Sequence, residues 1–176
     1  MEDPAKRSVE DACLPHLPAA YNLARWLTRN EHDAEDLVQE AYLRAIKYFD
    51  NAAQINTRAW LLKIVRNAFY TTRSRKRPDD KASSFDEDVH SGGHDSFNPE
   101  ALALRSASRE QVHEALSELG DEFREVLVLR ELQGFAYREI AEVVGVPVGT
   151  VMSRLSRSRA ALAEALARRS RKELSP

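Results

Sequence analysis

Apolar residues repeat every three or four positions through the first half of the chain, as they do on one face of a helix. Asp33 is a good N-cap for the helix that this pattern predicts. Its packing face carries an apolar set: Ala34, Val38, Ala41, Ala45 and Phe49. Its opposite face is mostly polar and carries Asp33, Asp36, Gln39, Glu40, Leu43 and Lys47. The sequence therefore predicts a helix that packs on one side and is available for binding on the other.

A second long helix is predicted after an interruption of the pattern at residues 50–56. Thr57 can cap this helix. Its packing face carries Trp60, Leu61, Ile64, Val65 and Ala68. Because Trp60 lies on that face, a role in the core is favoured over a role as a stacking platform. The outer flank is basic and carries Lys63, Arg66, Tyr70 and Arg73.

The second half of the chain predicts a helix-turn-helix. Helical spacing resumes at residue 100 and breaks at residues 120–121. Residues 135–144 have the pattern of a short amphipathic helix, residues 145–147 read as a tight turn, and Val148 begins another helix. The glycine of that turn can supply the special backbone angles that it needs. This layout is typical of motifs that read DNA.

The second helix of this motif separates its residues by face, at about 100° per residue. Its packing stripe contains Val151, Leu155, Leu162 and Leu166. The opposite face contains Gly149, Thr150, Ser153 and Arg157, and Arg154 lies to one side. Small residues permit close approach to a major groove, while Arg and Ser side chains can reach base edges and phosphates. An ordinary helical hairpin with a solvated basic face is the alternative.

Residues 78–99 have no helical period, are acidic, and are rich in Ser and Gly. Such a segment buries too little apolar surface to offset the entropy of ordering, so we expect a flexible linker. The chain has only six Gly and seven Pro in 176 residues, and helical spacing on both sides of the linker. We therefore predict an all-α protein with two small helical domains at residues 10–77 and 101–172, joined by a flexible acidic linker at 78–100.

The formal net charge of −2 hides a strong segregation of charge along the chain. Residues 58–77 contain seven basic residues and no acidic one, whereas the charged residues of 79–100 are almost all acidic. Residues 150–172 again contain seven basic residues, against Glu164 alone. Two basic blocks indicate two anion-binding surfaces on two modules, with solvated helix faces as the alternative.

Several classes of protein are disfavoured. Cys13 is the only cysteine, so no intrachain disulfide is expected and a reducing compartment fits. The chain begins without the apolar core of a signal peptide, and no apolar run reaches the ~18 residues of a membrane span, so we expect a cytoplasmic protein without membrane insertion. No catalytic motif or phosphate loop is recognisable, so no enzyme activity or cofactor is expected.

A metal site is not expected either. His90 and His94 stand four residues apart among acidic residues, but the linker that carries them offers no structured scaffold for a metal. The proximity of Cys13 and His16 is interpreted as chance, because neither has a further ligand nearby in the sequence.

Two segments resemble the extracytoplasmic-function (ECF) sigma factors of the sigma-70 family. Residues 124–162, REVLVLRELQGFAYREIAEVVGVPVGTVMSRLSRSRAAL, are similar to region 4 of that family. Residues 33–78, which contain DAEDLVQEAYLRAIKYF and TRAWLLKIVRNAFYTTRSRKRP, are similar to region 2. The two segments follow the family's order. The further regions of larger sigma factors have no counterpart here, which favours the ECF group.

The resemblance implies a protein that gives RNA polymerase its promoter specificity, built from a region 2 helical bundle and a region 4 helix-turn-helix. It implies contact with the clamp helices of the polymerase β′ subunit through Asp36, Gln39, Glu40 and Leu43. It implies recognition of the −10 element by Asn51, Lys63, Arg66 and Asn67, with Asn51 in a loop that captures a base turned out of the melted strand. It implies recognition of the −35 element by Gly149, Thr150, Ser153, Arg154 and Arg157.

The implied partners are core RNA polymerase, including its β flap, promoter DNA, and an anti-sigma factor that binds across both domains. Met152 departs from the family pattern, because many relatives carry a basic residue there, and the preferred −35 sequence is expected to differ accordingly. A sigma-like decoy that binds an anti-sigma factor without driving transcription is the alternative. A stand-alone helix-turn-helix repressor is less favoured, because it leaves the first half of the chain without a role.

Overall fold

The computed structural model describes residues 8–49, 56–76 and 108–173. Within these ranges the chain is helical and contains no strand, which confirms the all-α prediction. The described residues fall into two compact units. One contains 8–49 and 56–76 together with 138–146, and the other contains 108–137 and 147–173. Residues 78–100, with His90 and His94, and the predicted base-capturing residue Asn51 lie outside the described residues.

The first half of the chain forms a small bundle of amphipathic helices. Its described helices are α1 (Val9–Cys13), α2 (Leu17–Thr28), α3 (Glu31–Tyr48) and α4 (Thr57–Lys76), with a 3₁₀ turn at Leu14–His16. Helices α2, α3 and α4 pack on one another in pairs. Leucines fill the space between them, and alanines permit close approach of the helix backbones: Ala20, Leu23, Ala24, Leu27, Ala34, Ala41, Ala45, Leu61 and Leu62.

The starts of α3 and α4 differ from the prediction. Asn30 caps α3, because its Oδ1 accepts a hydrogen bond from the backbone N–H of Asp33 at 3.0 Å. Asn56 Oδ1 likewise accepts from the N–H of Ala59 at 3.1 Å, so Thr57 is the first residue of α4 and does not cap it. Asn and Asp cap equally well, so capping preference does not separate Asn30 from Asp33. Asn caps better than Thr, so the same preference already favoured Asn56, and the prediction of Thr57 overlooked it.

The packing faces of these helices also differ in detail from the prediction. The buried residues of α3 are Ala34, Leu37, Ala41 and Ala45. The buried residues of α4 are Ala59, Leu61, Leu62, Val65 and Ala68. Val38, Ile64 and Trp60 are half-buried, and the Trp60 ring meets Phe49 edge-on with the ring centroids 5.9 Å apart. The buried face of each helix is therefore rotated slightly around the helix axis relative to the predicted face. The reason is that each helix packs against two neighbours and buries a wider stripe.

The second half contains α5 (Arg109–Glu118), α6 (Asp121–Leu127), α7 (Tyr137–Val144) and α8 (Val148–Glu173). A capping box begins α5, in which Ser108 and Gln111 satisfy each other's backbone N–H. Helix α6 continues into a π-helical turn at Val128–Leu132. Helix α8 packs against α5 and α6. The buried residues of this second unit include Leu116, Val126, Leu129, Val151, Leu155 and Leu162.

The backbone around α7 follows the predicted turn but not the predicted helix start. Gly134 adopts φ +70° and Phe135 is fully buried ahead of the helix, so α7 begins at Tyr137 and the predicted start at 135 was wrong. At the other end Gly145 adopts φ +78° and its N–H donates to the carbonyl of Ala141 at 2.8 Å. The left-handed angle is the one that glycine supplies at low cost, and it confirms the predicted turn.

Candidate nucleic-acid interfaces

Helix α8 presents an exposed face opposite its buried stripe. The buried stripe contains Val151, Leu155, Ser158, Leu162 and Leu166. The exposed residues of the first three turns are Val148, Gly149, Met152, Ser156, Arg157 and Ala160. Met152 and Ser156 were not placed on this face by the sequence prediction. Their spacing of three and seven residues from Gly149 is the signal that identifies them.

The small residues of this face are positioned by the helix itself. Ser153 is half-buried, and its hydroxyl donates to the carbonyl of Thr150 at 3.0 Å. The hydroxyl proton is therefore engaged, but the Ser153 oxygen keeps acceptor capacity for a donor such as a base amino group. A Cβ added at Gly149 meets nothing within 4 Å, so the α8 backbone has open space there. This part of the helix can approach another surface closely.

The two arginines assigned to the −35 element stand in different surroundings. Arg157 is exposed. The side chain of Arg154 is 20% exposed, and its Nη2 lies 3.7 Å from Glu122 Oε2 on α6. A carboxylate at that distance attracts the guanidinium and competes with any phosphate for it. The structure thus places Arg154 at the edge of the exposed face, beside an acid that the sequence reasoning did not consider.

Other arginines of α8 form ion pairs with glutamates within the second unit. Arg159 donates to Glu131 Oε1 from Nε at 3.2 Å and from Nη2 at 2.7 Å. Burial alone lowers the pKa of Arg159, but the hydrogen bond and charge of Glu131 outweigh it, and the pKa is raised. Arg168 lies 3.1 Å from Glu118, and Arg169 is paired with the same acid and with another glutamate of α5. The charge of this basic block therefore overstates the positive surface available to DNA.

Helix α4 carries a basic flank with an aromatic residue in it. Lys63 and Asn67, one turn apart, are both exposed. Arg66 is half-buried, and its guanidinium carbon lies 4.6 Å from the centroid of the Tyr70 ring. A guanidinium over an aromatic face is held in a fixed orientation. In the last turn Arg73 is exposed on this flank, and Arg75 and Lys76 are exposed elsewhere around the helix, so the C-terminal end of α4 is positive on several sides.

The outer face of α3 is acidic at one end and apolar at the other. Asp36 and Gln39 are exposed, and Glu40 is half-buried and paired with Arg44. Leu43 is 62% exposed on the same face. Two further large side chains are exposed near the C-terminal end of α3, and the sequence reasoning did not name them: Ile46, 45% exposed, on the same face as Leu43, and Tyr48, 61% exposed, about 140° around the helix from it. Exposed apolar side chains that share a helix face, as Leu43 and Ile46 do, are typical of protein contacts.

Outside these faces, Cys13 and His16 lie within the first unit. Burial raises the pKa of the Cys13 thiol, while burial and the charge of Arg58 lower the pKa of His16. Among residues 8–49, 56–76 and 108–173, no three His, Cys, Asp or Glu side chains are grouped to hold a metal ion. No helix in the described ranges is both long and apolar enough to span a membrane.

Comparisons with known proteins decide the family. Residues 14–78 match the family model for sigma-70 region 2, and residues 109–162 match that for sigma-70, region 4. Over 137 residues the chain is 34% identical to the ECF RNA polymerase sigma-E factor of Escherichia coli (strain K12), covering 74% of this chain and 72% of that protein. This chain belongs to the ECF sigma factors. The family resemblance of the two sequence segments is thereby confirmed.

Other relatives align over nearly the whole sigma factor. This chain is 31% identical over 168 residues to the RNA polymerase sigma-H factor of Pseudomonas aeruginosa, and the alignment covers 92% of this chain and 87% of that protein. It is 34% identical over 166 residues to the ECF RNA polymerase sigma factor SigE of Mycolicibacterium smegmatis, covering 94% of this chain. The sigma factor spans 64% of the length of that last relative.

Solved structures give the same assignment. The sigma factor resembles RpoE from Bartonella quintana, solved in complex with the anti-sigma factor NepR, with a TM-score of 0.64 and 30% identity over 90% of this chain and 96% of that chain. It also resembles CnrH, solved in complex with the cytosolic domain of CnrY, with a TM-score of 0.60 and 26% identity over 90% of this chain and 87% of that chain.

Proposed function

We propose that this sigma factor binds core RNA polymerase and directs it to promoters by contacting the −10 and −35 elements with separate helices. The observation that carries the proposal is the exposed face of α8, which lies within the region 4 match and carries Gly149 and Arg157 opposite a fully packed stripe. The basic flank of α4, within the region 2 match, supplies a second candidate DNA surface.

Helix α3 is the proposed docking surface for the clamp helices of the polymerase β′ subunit. Asp36 and Gln39 are exposed and offer charge and hydrogen bonds. Leu43, at 62% exposure, offers apolar area that an interface core needs. Glu40 is paired with Arg44 on its own helix. We therefore expect Glu40 to hold the Arg44 side chain in place at this surface more than to offer an unpaired charge to the polymerase.

Helix α4 is the proposed reader of the −10 element. Exposed Lys63 can bind a phosphate, and the exposed amide of Asn67 can pair with a base edge as both donor and acceptor. Arg66 lies over Tyr70, which fixes its guanidinium near the same flank. Asn51 is proposed to capture a flipped base from the family resemblance alone, since it lies outside the described residues.

Helix α8 is the proposed reader of the −35 element. Gly149 and Thr150 allow close approach, Ser153 offers an acceptor, and Arg157 offers a bidentate donor for a guanine edge or a phosphate. Arg154 is proposed to bind the backbone of the duplex after leaving Glu122, which lies 3.7 Å away. The site therefore combines base contacts at its centre with a phosphate contact at its edge.

The proposed domains are residues 10–77 for region 2 and 101–172 for region 4, connected by 78–100. Region 4 is expected to meet the polymerase β flap. An anti-sigma factor is a further proposed partner, because RpoE and CnrH were each solved with a protein partner and NepR is named as an anti-sigma factor. We expect the protein to act in the cytoplasm with RNA polymerase, as a regulator and not as an enzyme.

Selection of promoter DNA tests this proposal. The full chain is combined with core RNA polymerase, and the complex is bound to a DNA pool randomised over both elements. We expect two enriched blocks at a fixed spacing, and none with core polymerase alone. Variants with Ala at Lys63 and Asn67 should lose only the block nearer the start site. A sigma-like decoy predicts no enrichment in any of these samples.

A further inference from the structure

We infer that Met152 recognises the C5-methyl group of a thymine in the −35 element and thereby determines part of the promoter specificity. This inference rests on the proposed function of α8 as the −35 reader. It concerns a side chain to which neither the sequence reasoning nor the family assignment gives a contact.

Met152 lies on one flank of the exposed face of α8. Its side chain is 54% exposed, although methionine is an apolar residue. At 3.6 residues per turn, Met152 and Arg157 lie about 140° apart around α8, one on each flank of the exposed face. Ser153 and Ser156 lie between them. A groove that accommodates this face meets Arg157 on one side and Met152 on the other.

The residues around Met152 on α8 are mostly apolar or small. Val148, one turn earlier on the same flank, is 36% exposed and also apolar. Ser156, one turn later, is small and exposed. The arginine nearest to this flank along the helix is Arg159, and its guanidinium is bound to Glu131. The Met152 flank therefore carries apolar and small side chains, and its arginine is neutralised by Glu131, in contrast to the flank that carries Arg157.

The major groove of DNA contains an apolar group that matches this side chain. Each base pair presents donors and acceptors there, and the C5-methyl of thymine is the one apolar group among them. A thioether side chain cannot donate a hydrogen bond, but it is polarisable and adapts its shape to an apolar neighbour. Met152 is thus matched to thymine and poorly matched to cytosine, which presents an amino donor without a methyl group.

The test removes the methyl group from the DNA and the thioether from the protein. The chain is first combined with core polymerase and used to select −35 sequences from a randomised pool. In the best fragment, each −35 thymine is then replaced in turn by deoxyuridine, which lacks only the C5-methyl. One replacement should weaken binding by about three- to fivefold, the equivalent of one buried methyl group.

The matched variants are Met152→Ala, Met152→Leu and Ser156→Ala, all at exposed positions. Met152→Ala should abolish the effect of that deoxyuridine, Met152→Leu should retain much of it, and Ser156→Ala should leave it unchanged. An undiminished deoxyuridine effect in Met152→Ala, or no effect at any thymine with the wild-type chain, overturns the inference while −35 selection still supports the proposed function. If no −35 sequence is enriched at all, the proposed function and the inference both fail.

Discussion

Removing the carboxylate of Glu122 is expected to strengthen DNA binding by this sigma factor. Glu122 Oε2 lies 3.7 Å from Arg154 Nη2, and Arg154 is proposed to bind a DNA phosphate. The arginine cannot serve both partners fully, so the ion pair must weaken when DNA binds. Glu122→Gln keeps the shape of the side chain and removes its charge, which frees Arg154 before DNA arrives.

The magnitude follows from the exposure of the pair. The two side chains are 20% and 46% exposed, so solvent screens the interaction and it is worth about 0.2–1 kcal/mol. Glu122→Gln should therefore tighten binding of the polymerase complex to promoter fragments by up to about fivefold. Because a phosphate contact carries no sequence information, all −35 sequences should gain alike, and the gain should shrink at high salt.

Fluorescence anisotropy with labelled promoter fragments over a range of salt concentrations measures this effect. Glu118→Gln is the matched control, because it makes the same charge change beside Arg168 and Arg169. Arg168 lies about 21 Å further along α8 than Arg154, beyond the Debye length of about 8 Å. In an Arg154→Ala background the gain from Glu122→Gln should disappear. Equal gains from the two glutamine variants, or a changed ranking of −35 sequences with Glu122→Gln, would refute the reasoning.

Three further predictions concern other parts of the protein. Arg157→Ala should cost roughly 1–3 kcal/mol at particular −35 positions and change the ranking of a −35 library in transcription assays, and an unchanged ranking would contradict the proposed register. Charge reversal at Asp36 and Glu40 together should reduce co-purification with core polymerase while the circular dichroism spectrum stays the same; wild-type recovery would show that α3 docks elsewhere. The pKa of His16 is lowered from its ordinary value of 6.5, so the unfolded chain binds the proton more readily and stability should fall as the pH drops below about 6.5. His16→Gln should flatten that decline in urea unfolding between pH 7 and pH 5, and an identical decline in both proteins would rule out His16 as its cause.

Much of the fold follows from local patterns in the sequence. Helical spacing of apolar residues identifies α3, α4 and α8, because each buries one stripe and leaves the rest in water. Gly145 marks its turn for a steric reason that does not depend on distant residues. The helix starts were less accurate: Asn30 competes with Asp33, a cap of similar strength, and only the packed structure selects one, whereas the ranking of caps already favoured Asn56 over Thr57.

The candidate site was less accessible to sequence reasoning, because its charges have distant partners. Arg154 and Arg159 belong to one basic block in the sequence, yet each lies beside a glutamate about thirty residues earlier in the chain. Periodicity reports which side of a helix a residue occupies, but not which acid of another helix stands opposite. Met152 was noticed only as a departure from a family, although its spacing of three residues from Gly149 already placed it on the exposed face of α8, where its side chain is 54% exposed.

The most direct test of the central claim is transcription in vitro from a selected promoter, with core RNA polymerase and the full chain. We predict transcripts from one defined start site, none with core polymerase alone, and their loss on mutation of either promoter element. The Asp36 and Glu40 charge reversal should reduce these transcripts as well. A chain that binds core polymerase and yields no start site on any template would contradict the account and support the sigma-like decoy.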